Sequence, residues 1–205
     1  AFFYNSMGSD VTVIEFQNRI VPVEDKEISK ELEKNLKKKG ITFLTSSEVI
    51  NSKLTDSGVE LDIKTSSNEN KKITSDIVLS AVGIKTNIEN IGLEEIGINI
   101  KNDKIITDEF YQTNVKGYYA IGDVVQGQAL AHVASAEAII CVEKIAGIET
   151  EPLDYENIPS CIYTVPEVAS VGLAEQEAIK RGYEIKVGKF PFIASGKASA
   201  SGAKD

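Results

Sequence analysis

Three places in this sequence carry side chains whose type and position could bind a cofactor. Glu15 ends the short apolar segment VTVIE, Gly122 and Asp123 end the apolar segment GYYAI, and His132 follows shortly afterwards. In dinucleotide-binding folds, an acid at the end of a strand accepts hydrogen bonds from ribose hydroxyls and disfavours the extra phosphate of NADP. A Gly-Asp pair at the carboxyl end of a strand lets a ligand approach the backbone and can accept a hydrogen bond from a hydroxyl.

Each of these features also has an ordinary structural explanation. An acid at a strand end is often a solvated carboxylate, and Gly-Asp is a common turn. A lone histidine in a helix is more often a packing residue than a catalyst, and no G-x-G-x-x-G precedes Glu15. However, residues 126–128 offer no Ser, Thr, Asp or Asn to cap the next helix, so we expect the N–H groups of Ala129 to His132 to face an external acceptor.

The first forty residues predict a strand, a helix and a second strand. Val11 to Glu15 is a short β-branched run, typical of a buried parallel strand. Asp25 is expected to cap the following helix, which ends at three lysines and Gly40. A second strand is expected over Ile41 to Leu44, which completes a βαβ crossover. In this helix an apolar residue recurs at every fourth position, and these residues are expected to form one buried stripe: Ile28, Leu32 and Leu36.

The rest of the chain predicts a mixture of short strands and helices. Three strands with alternating apolar residues predict an antiparallel meander: Glu48 to Leu54, Val59 to Lys64 and Lys72 to Leu79. Further apolar runs predict strands at Ile77 to Val82, Gly117 to Ile121 and Glu184 to Phe190. Helices are expected over Ala129 to Ala146 and Ala174 to Arg181, with a domain boundary near Pro152 to Pro159.

Composition excludes several classes of protein. The chain has 205 residues, of which 42% are hydrophobic, and its net charge is −9, so we expect a globular, cytoplasmic protein that binds neither nucleic acid nor an anionic membrane. No apolar run approaches the roughly 20 residues that span a bilayer. Cys141, Cys161 and one histidine are too few for an ordinary zinc site, so no metal is expected.

Four segments of the sequence resemble one enzyme family. GYYAIGDVVQGQALAHVASAEA resembles the second FAD-binding motif of the pyridine nucleotide–disulfide oxidoreductases. IPSCIYTVPEVASVGLAEQEA, followed by KFPFIASGKASA, resembles the start of their dimerisation domain in the dihydrolipoamide dehydrogenase branch. GSDVTVIEFQNRIVP and IVLSAVGIKTNIENIGLEEIGI resemble the NAD-domain and domain-junction segments. The resemblance follows the family order over essentially the whole chain.

This resemblance implies an α/β fold with three parts. Residues 1–80 would be the second half of a doubly wound, Rossmann-like NAD-binding domain with its antiparallel meander. Residues 81–152 would be part of the FAD-binding and central domains, and residues 153–205 the start of an α+β dimerisation domain. We expect an internal piece of a longer protein, because the family's two glycine motifs, its redox-active cysteine pair and its His-Glu base are not found here. The piece by itself is expected to be inactive.

The resemblance also implies an activity and its partners. The family branch consists of homodimeric flavoenzymes that oxidise a protein-bound dihydrolipoyl group and pass the electrons through a disulfide and FAD to NAD. The implied partners are a second subunit, lipoyl domains and the acyltransferase core of 2-oxoacid dehydrogenase complexes. Two alternatives stay open at this point: a disulfide reductase of the glutathione or mercuric type, and a folded module without catalytic activity.

Carried over residue by residue, the resemblance assigns two cofactor-binding sets and no catalytic or metal-binding residue. The FAD ribityl chain and flavin are assigned to Asp123, Ala129, Leu130, Ala131 and His132. The NAD ribose, adenine and nicotinamide end are assigned to Glu15, Val49 and Gly83, respectively. Cys141 and Cys161 do not match the family's disulfide in context and are expected to be structural.

Overall fold

The chain forms two compact units, as seen in a computed structural model that describes residues 1–202. Unit 1 consists of residues 1–80 together with the described residues from 159 onward, and unit 2 consists of residues 81–158. The helices are α1 (Phe2–Ser6), α2 (Lys26–Lys38), α3 (Ala131–Ile145), α4 (Glu175–Lys180) and α5 (Gly196–Ser201). The strands are β1 (Thr12–Ile14), β2 (Thr42–Leu44), β3 (Glu48–Thr55), β4 (Gly58–Lys64), β5 (Asn70–Ser75), β6 (Ile100–Lys101), β7 (Lys104–Ile105), β8 (Ser160–Ile162) and β9 (Val168–Ser170). The predicted α/β class is confirmed, whereas the division into three domains stays a prediction.

The predicted βαβ crossover is present in unit 1. Strands β1 and β2 pair in parallel, with Thr12 opposite Thr42 and Ile14 opposite Leu44. Helix α2 connects them and packs Leu32 and Leu36 into a core that also contains Ile20 and Ile41. The prediction was wrong for the third residue of the expected buried stripe, because Ile28 is 43% exposed.

The start of α2 differs from the prediction in one detail. Asp25 occupies the N-cap position, but its side chain makes no capping hydrogen bond within its own helix. Its Oδ1 instead accepts a 2.6 Å hydrogen bond from the backbone N–H of Glu175, at the start of α4. The carboxylate therefore serves a helix end distant in sequence, where a negative charge is also favourable.

The predicted antiparallel meander is confirmed as a three-stranded sheet in the order β3-β4-β5. The middle strand supplies the buried side chains, Leu61 and Ile63, the latter with no exposed surface. The last strand ends at Ser75 rather than at Leu79. A bulge between Val49 and Asn51 shifts the register of β3.

Three apolar runs that were predicted as strands do not form strands. Residues 77–82, 117–121 and 184–190 lie outside every strand, apart from an isolated bridge between Gln112 and Tyr119. A strand is stable only when a neighbour takes up its backbone hydrogen bonds. Within residues 1–202 no segment forms a continuous ladder with these runs, and Val82 is 96% exposed.

Unit 2 is built around a small isoleucine core. Ile88, Ile98 and Ile105 are buried together, with Leu93, Val115, Ala120 and Val124 packed against them. The β6–β7 hairpin turns through Asn102 and Asp103, which both have positive φ values, of 50° and 62°. Such values are typical of the hairpin turns that match the twist of the strands.

The residues after Pro159 pack on the βαβ part of unit 1. Strands β8 and β9 form an antiparallel pair, and the predicted helix at residues 174–181 is confirmed as α4. Buried Glu24 accepts a 3.2 Å hydrogen bond from Ser170, and its carbonyl accepts one of 2.9 Å from Gln176. No helix in residues 1–202 combines the length and apolar character that a bilayer crossing requires.

Candidate functional site

The Gly-Asp turn, Gly122 and Asp123, begins a single 3₁₀ turn that ends at Val124. Gly122 has a φ of +72°, and a Cβ at this position would lie 3.3 Å from the Cβ of Ala134 on α3. A side chain here would strain the backbone and crowd the helix. The carboxylate of Asp123 is exposed, while Lys104 Nζ donates a 2.5 Å hydrogen bond to its carbonyl oxygen. The turn therefore presents a carboxylate from a backbone that is held close to α3.

A buried glutamate joins the Gly-Asp turn to α3. Glu137 is 1% exposed, and its Oε2 accepts a 2.5 Å hydrogen bond from the backbone N–H of Gly122. Its Oε1 accepts a 2.6 Å hydrogen bond from the hydroxyl of Tyr155. A buried carboxylate is stable only when hydrogen-bond donors satisfy it, and here both oxygens have one. We call this pair of hydrogen bonds the Glu137 bridge.

Tyr155 completes the Glu137 bridge from the far end of unit 2. Burial, together with the hydrogen bond to Glu137, raises the pKa of Tyr155 far above its ordinary value, so the hydroxyl stays protonated and remains a donor. Tyr111 lies next to it, with 3.3 Å between the two hydroxyl oxygens, and burial raises the pKa of Tyr111 as well. At Gly127, a Cβ would lie 2.8 Å from the Tyr155 ring, so only glycine lets the loop pass this close.

Sequence reasoning missed Glu137, although the spacing of the helix contains the signal. Val133, Glu137 and Cys141 follow one another at intervals of four residues, and these three are the buried residues of α3. Residues four apart share a helix face. A carboxylate between two apolar residues on a buried face must find donors, and that requirement predicts a structural role for Glu137.

The start of α3 lies two residues later than predicted. Ala129 and Leu130 precede the helix, Leu130 is the N-cap residue, and Ala131 and His132 are the first two helical residues. The Leu130 N–H already donates a 2.9 Å hydrogen bond to the Gln128 carbonyl, so the expectation that it faces an external acceptor was wrong. The N-cap residue makes no side-chain capping hydrogen bond in the described part of the chain, and the helix dipole makes the start of α3 electropositive.

Glu15 and Val49 lie in unit 1 at the carboxyl end of the parallel strands. Glu15 directly follows β1 and is half-buried, and its backbone N–H donates to the Leu44 carbonyl beside it. The carboxylate accepts a 2.7 Å hydrogen bond from the Gln17 N–H through Oε1. Val49, on β3, is 43% exposed, and Ser47, two residues before it, donates a backbone hydrogen bond to the Glu15 carbonyl. The chain thus brings these two predicted NAD contacts into one neighbourhood.

Gly83, the third predicted NAD contact, belongs to unit 2. Its φ is +137°, and nothing described lies within 4 Å of the position that a Cβ would take. The residue lies in an exposed segment without regular secondary structure. An open backbone at this point leaves room for a ligand to approach.

The two cysteines occupy different environments. Cys141 is buried on α3, where burial raises the pKa of its thiol, whereas Cys161 lies exposed on β8. Neither is in a disulfide. Residues 1–202 contain no group of three His, Cys, Asp or Glu side chains arranged to hold a metal ion.

Comparison with known protein families shows which family this chain belongs to. Residues 1–138 match the model of the pyridine nucleotide-disulphide oxidoreductases, and residues 158–205 match the dimerisation domain of the same proteins. The chain belongs to the pyridine nucleotide-disulphide oxidoreductase family. The two matches follow one another along the chain in the order predicted from the four sequence segments.

Individual relatives agree with this assignment. The chain is 46% identical to the dihydrolipoyl dehydrogenase of Bacillus subtilis over 206 residues, which is 100% of this chain and 44% of the relative. It is 45% identical to the dihydrolipoyl dehydrogenase of Rhizobium etli, over 98% of this chain and 42% of the relative. The chain therefore spans less than half the length of these curated relatives. The crystal structure of LpdA from Mycobacterium tuberculosis has the same fold, with a TM-score of 0.87 at 22% identity, over 99% of this chain and 44% of that one.

Proposed function

We propose that this chain is part of an NAD-linked dihydrolipoamide dehydrogenase. The observation that supports this most directly is the identity of 45–46% to two proteins named dihydrolipoyl dehydrogenase, over nearly the whole chain. The geometry agrees with it, because an exposed Asp123 and the uncapped start of α3 follow one another in a single turn-and-helix element. The whole protein is proposed to oxidise a protein-bound dihydrolipoyl dithiol to the disulfide.

The residues present fit FAD. A Cβ at Gly122 would crowd Ala134, so glycine lets the turn that carries Asp123 lie close to α3. Asp123 offers an exposed carboxylate that can accept hydrogen bonds from the ribityl hydroxyls. The start of α3 offers an electropositive backbone that favours negative charge on a bound ring. Bound at this site, FAD would supply a two-electron carrier between a dithiol and NAD.

Within this proposal, Ala129 to His132 lie against the flavin through the start of α3. Ala131 and His132 belong to the first helical turn, whereas Ala129 and Leu130 lead into it. Since the Leu130 N–H is already bonded to Gln128, Leu130 is proposed to contact the flavin through its other atoms.

NAD is proposed to bind along the carboxyl edge of β1 and β2. Glu15 accepts a hydrogen bond from the adenosine ribose, Val49 lies by the adenine, and Gly83 lies near the nicotinamide end. The half-buried carboxylate of Glu15 supports its assignment, since the one hydrogen bond that the described residues give it uses Oε1 and leaves Oε2 for a hydroxyl. A carboxylate at this point disfavours the 2′-phosphate of NADP.

We propose that the natural protein is a cytoplasmic homodimer that serves lipoyl domains and the acyltransferase core of 2-oxoacid dehydrogenase complexes. The match of residues 158–205 to the dimerisation domain supports the dimer. The two unpaired cysteines support a reducing compartment. Since Cys141 is buried and Cys161 follows it by twenty residues in the other unit, the 205-residue chain alone is proposed to lack the redox disulfide and therefore turnover.

An assay of the whole natural protein tests this function. We expect it to be yellow, to reduce NAD with dihydrolipoamide, and to do so far better than it reduces NADP. A strong preference for NADPH together with a glutathione-like or metal substrate would contradict the proposal. The 205-residue chain, assayed in parallel, is expected to show no turnover, and measurable activity from it would show that the active site is contained in these residues.

A further inference from the structure

The Gly-Asp turn and the start of α3 are held in register by a residue that needs no contact with a ligand itself. Glu137 lies on α3, two turns after the start of that helix, and is 1% exposed. Its carboxylate accepts the N–H of Gly122, the residue directly before Asp123. The helix that presents one part of the proposed flavin site therefore also holds the backbone that presents the other part.

We propose that Glu137 is a positioning residue for the flavin: its carboxylate fixes the Gly-Asp turn against α3, and Tyr155 fixes the carboxylate. This inference rests on the proposed function, since it assumes that the natural protein binds FAD. The fixed element is the direction in which the Asp123 carboxylate leaves the turn. Binding groups that are fixed before a ligand arrives lose less conformational freedom on binding, and the affinity is correspondingly higher.

The contacts around the turn limit its movement from several sides. Gly122 is held through its N–H by Glu137, and the carbonyl of Asp123 is held by Lys104. Ala134 lies so close to Gly122 that a single added methyl group would be in tight contact. With the Glu137 bridge removed, the N–H of Gly122 loses its acceptor and the turn is free to shift relative to α3.

Tyr155 makes a hydrogen bond that a side chain which only fills space could not make. Its hydroxyl donates to Oε1 of Glu137 and so orients Oε2 toward Gly122. Its ring lies against Gly127, in the loop that connects the turn to α3. The tyrosine therefore contacts both the carboxylate and the connecting loop, and Tyr155→Phe removes the first contact while leaving the second.

The test uses the whole natural protein, stripped of flavin and titrated with FAD while the fluorescence and visible absorption of the flavin are followed. Glu137→Gln keeps the size of the side chain but removes its charge and one acceptor oxygen, and we expect roughly tenfold weaker FAD binding. Tyr155→Phe is expected to weaken binding about threefold. At saturating FAD, the fluorescence and band shape of the flavin should also differ from the parent in Glu137→Gln, because the flavin sits against a displaced turn.

Two matched variants control for the loss of a carboxylate and for the loss of a tyrosine hydroxyl. Glu143→Gln makes the same change on the same helix, and Tyr118→Phe removes the hydroxyl of a 47% exposed tyrosine in the same unit. Both are expected to bind FAD like the parent and to give its spectrum. Amide hydrogen exchange of the peptide containing Gly122, measured without flavin, should become faster in Glu137→Gln and stay unchanged in the controls.

Each outcome separates this inference from the proposed function. If the folded parent takes up no FAD, the proposed function fails. If the parent binds FAD and Glu137→Gln matches it in affinity, spectrum and Gly122 exchange, the positioning role alone is overturned. Should Glu137→Gln fail to fold, Tyr155→Phe decides, and an affinity and spectrum equal to those of Tyr118→Phe would overturn the inference.

Discussion

The Asp25 carboxylate, at the start of α2, accepts a 2.6 Å hydrogen bond from the backbone N–H of Glu175, at the start of α4. One carboxylate thus stabilises the end of a helix that follows it by 150 residues. We predict that Asp25→Ala lowers the free energy of unfolding by about 1 kcal/mol, the ordinary cost of losing a helix cap. Urea unfolding measures the loss, and faster amide exchange in α4 locates it.

The control for this prediction is Asp10→Ala, which removes an exposed aspartate from the same unit. Its effect on stability is expected to be within a few tenths of a kcal/mol. Equal unfolding curves for the two variants would show that the hydrogen bond between Asp25 and Glu175 contributes nothing to the free energy of unfolding.

Glu15 provides the prediction on coenzyme choice. In the whole natural protein, Glu15→Arg should raise the KM for NAD and lower the KM for NADP, since an arginine attracts the phosphate that the carboxylate disfavours. Steady-state kinetics with both coenzymes measure the change in preference. Glu69→Arg, at an exposed position between β4 and β5, should leave the preference unchanged. Identical coenzyme kinetics in the two variants would identify Glu15 as an ordinary solvated acid.

Gly127 provides a prediction on packing. Gly127→Ala places a Cβ 2.8 Å from the Tyr155 ring at a backbone φ of +143°, so the ring or the loop must move. We expect a loss of about 2–3 kcal/mol in the free energy of unfolding, from backbone strain and crowding together. Gly83→Ala is the matched control, because it has a similar φ of +137° and open space around it. A loss in Gly127→Ala no larger than that in Gly83→Ala would mean that the Tyr155 ring yields without cost.

The cysteines provide a prediction on reactivity. In the native 205-residue chain, a thiol reagent should modify Cys161 quickly and Cys141 only after unfolding, since Cys141 is buried and its pKa is raised. Thiol counting should give one fast group per chain, and none in Cys161→Ser. Two fast groups in the native protein would show that α3 is not packed as described.

Local patterns predicted those parts of the fold that depend on neighbouring residues. The βαβ crossover follows from a short β-branched run, a helix with acidic start and basic end, and a second run. The meander follows from alternation at Val59, Leu61 and Ile63, two of which are buried in β4. The Gly-Asp turn was also placed correctly before α3, because glycine and aspartate mark a turn whatever surrounds them.

Features that depend on distant partners were not predictable in this way. The run at residues 77–82 has the composition of a strand, but composition supplies no neighbour to take up its hydrogen bonds. The capping hydrogen bond expected of Asp25 is not made within α2, and its carboxylate accepts instead from the N–H of Glu175, which is 150 residues away in the sequence. Glu137 gathers donors from Gly122 and Tyr155, on two separate segments, and only the spacing of Val133 and Cys141 indicated that it was buried.

Unit 1 is discontinuous, since residues 81–158 come between its two segments. During synthesis on a ribosome, Glu24 and Asp25 leave the exit tunnel long before Ser170, Glu175 and Gln176 are made. The hydrogen bonds between these two groups of residues therefore cannot form until that later segment has emerged. Residues 81–158 are made during that interval. A stall in translation shortly before residue 170 would therefore leave Glu24 and Asp25 without these hydrogen bonds.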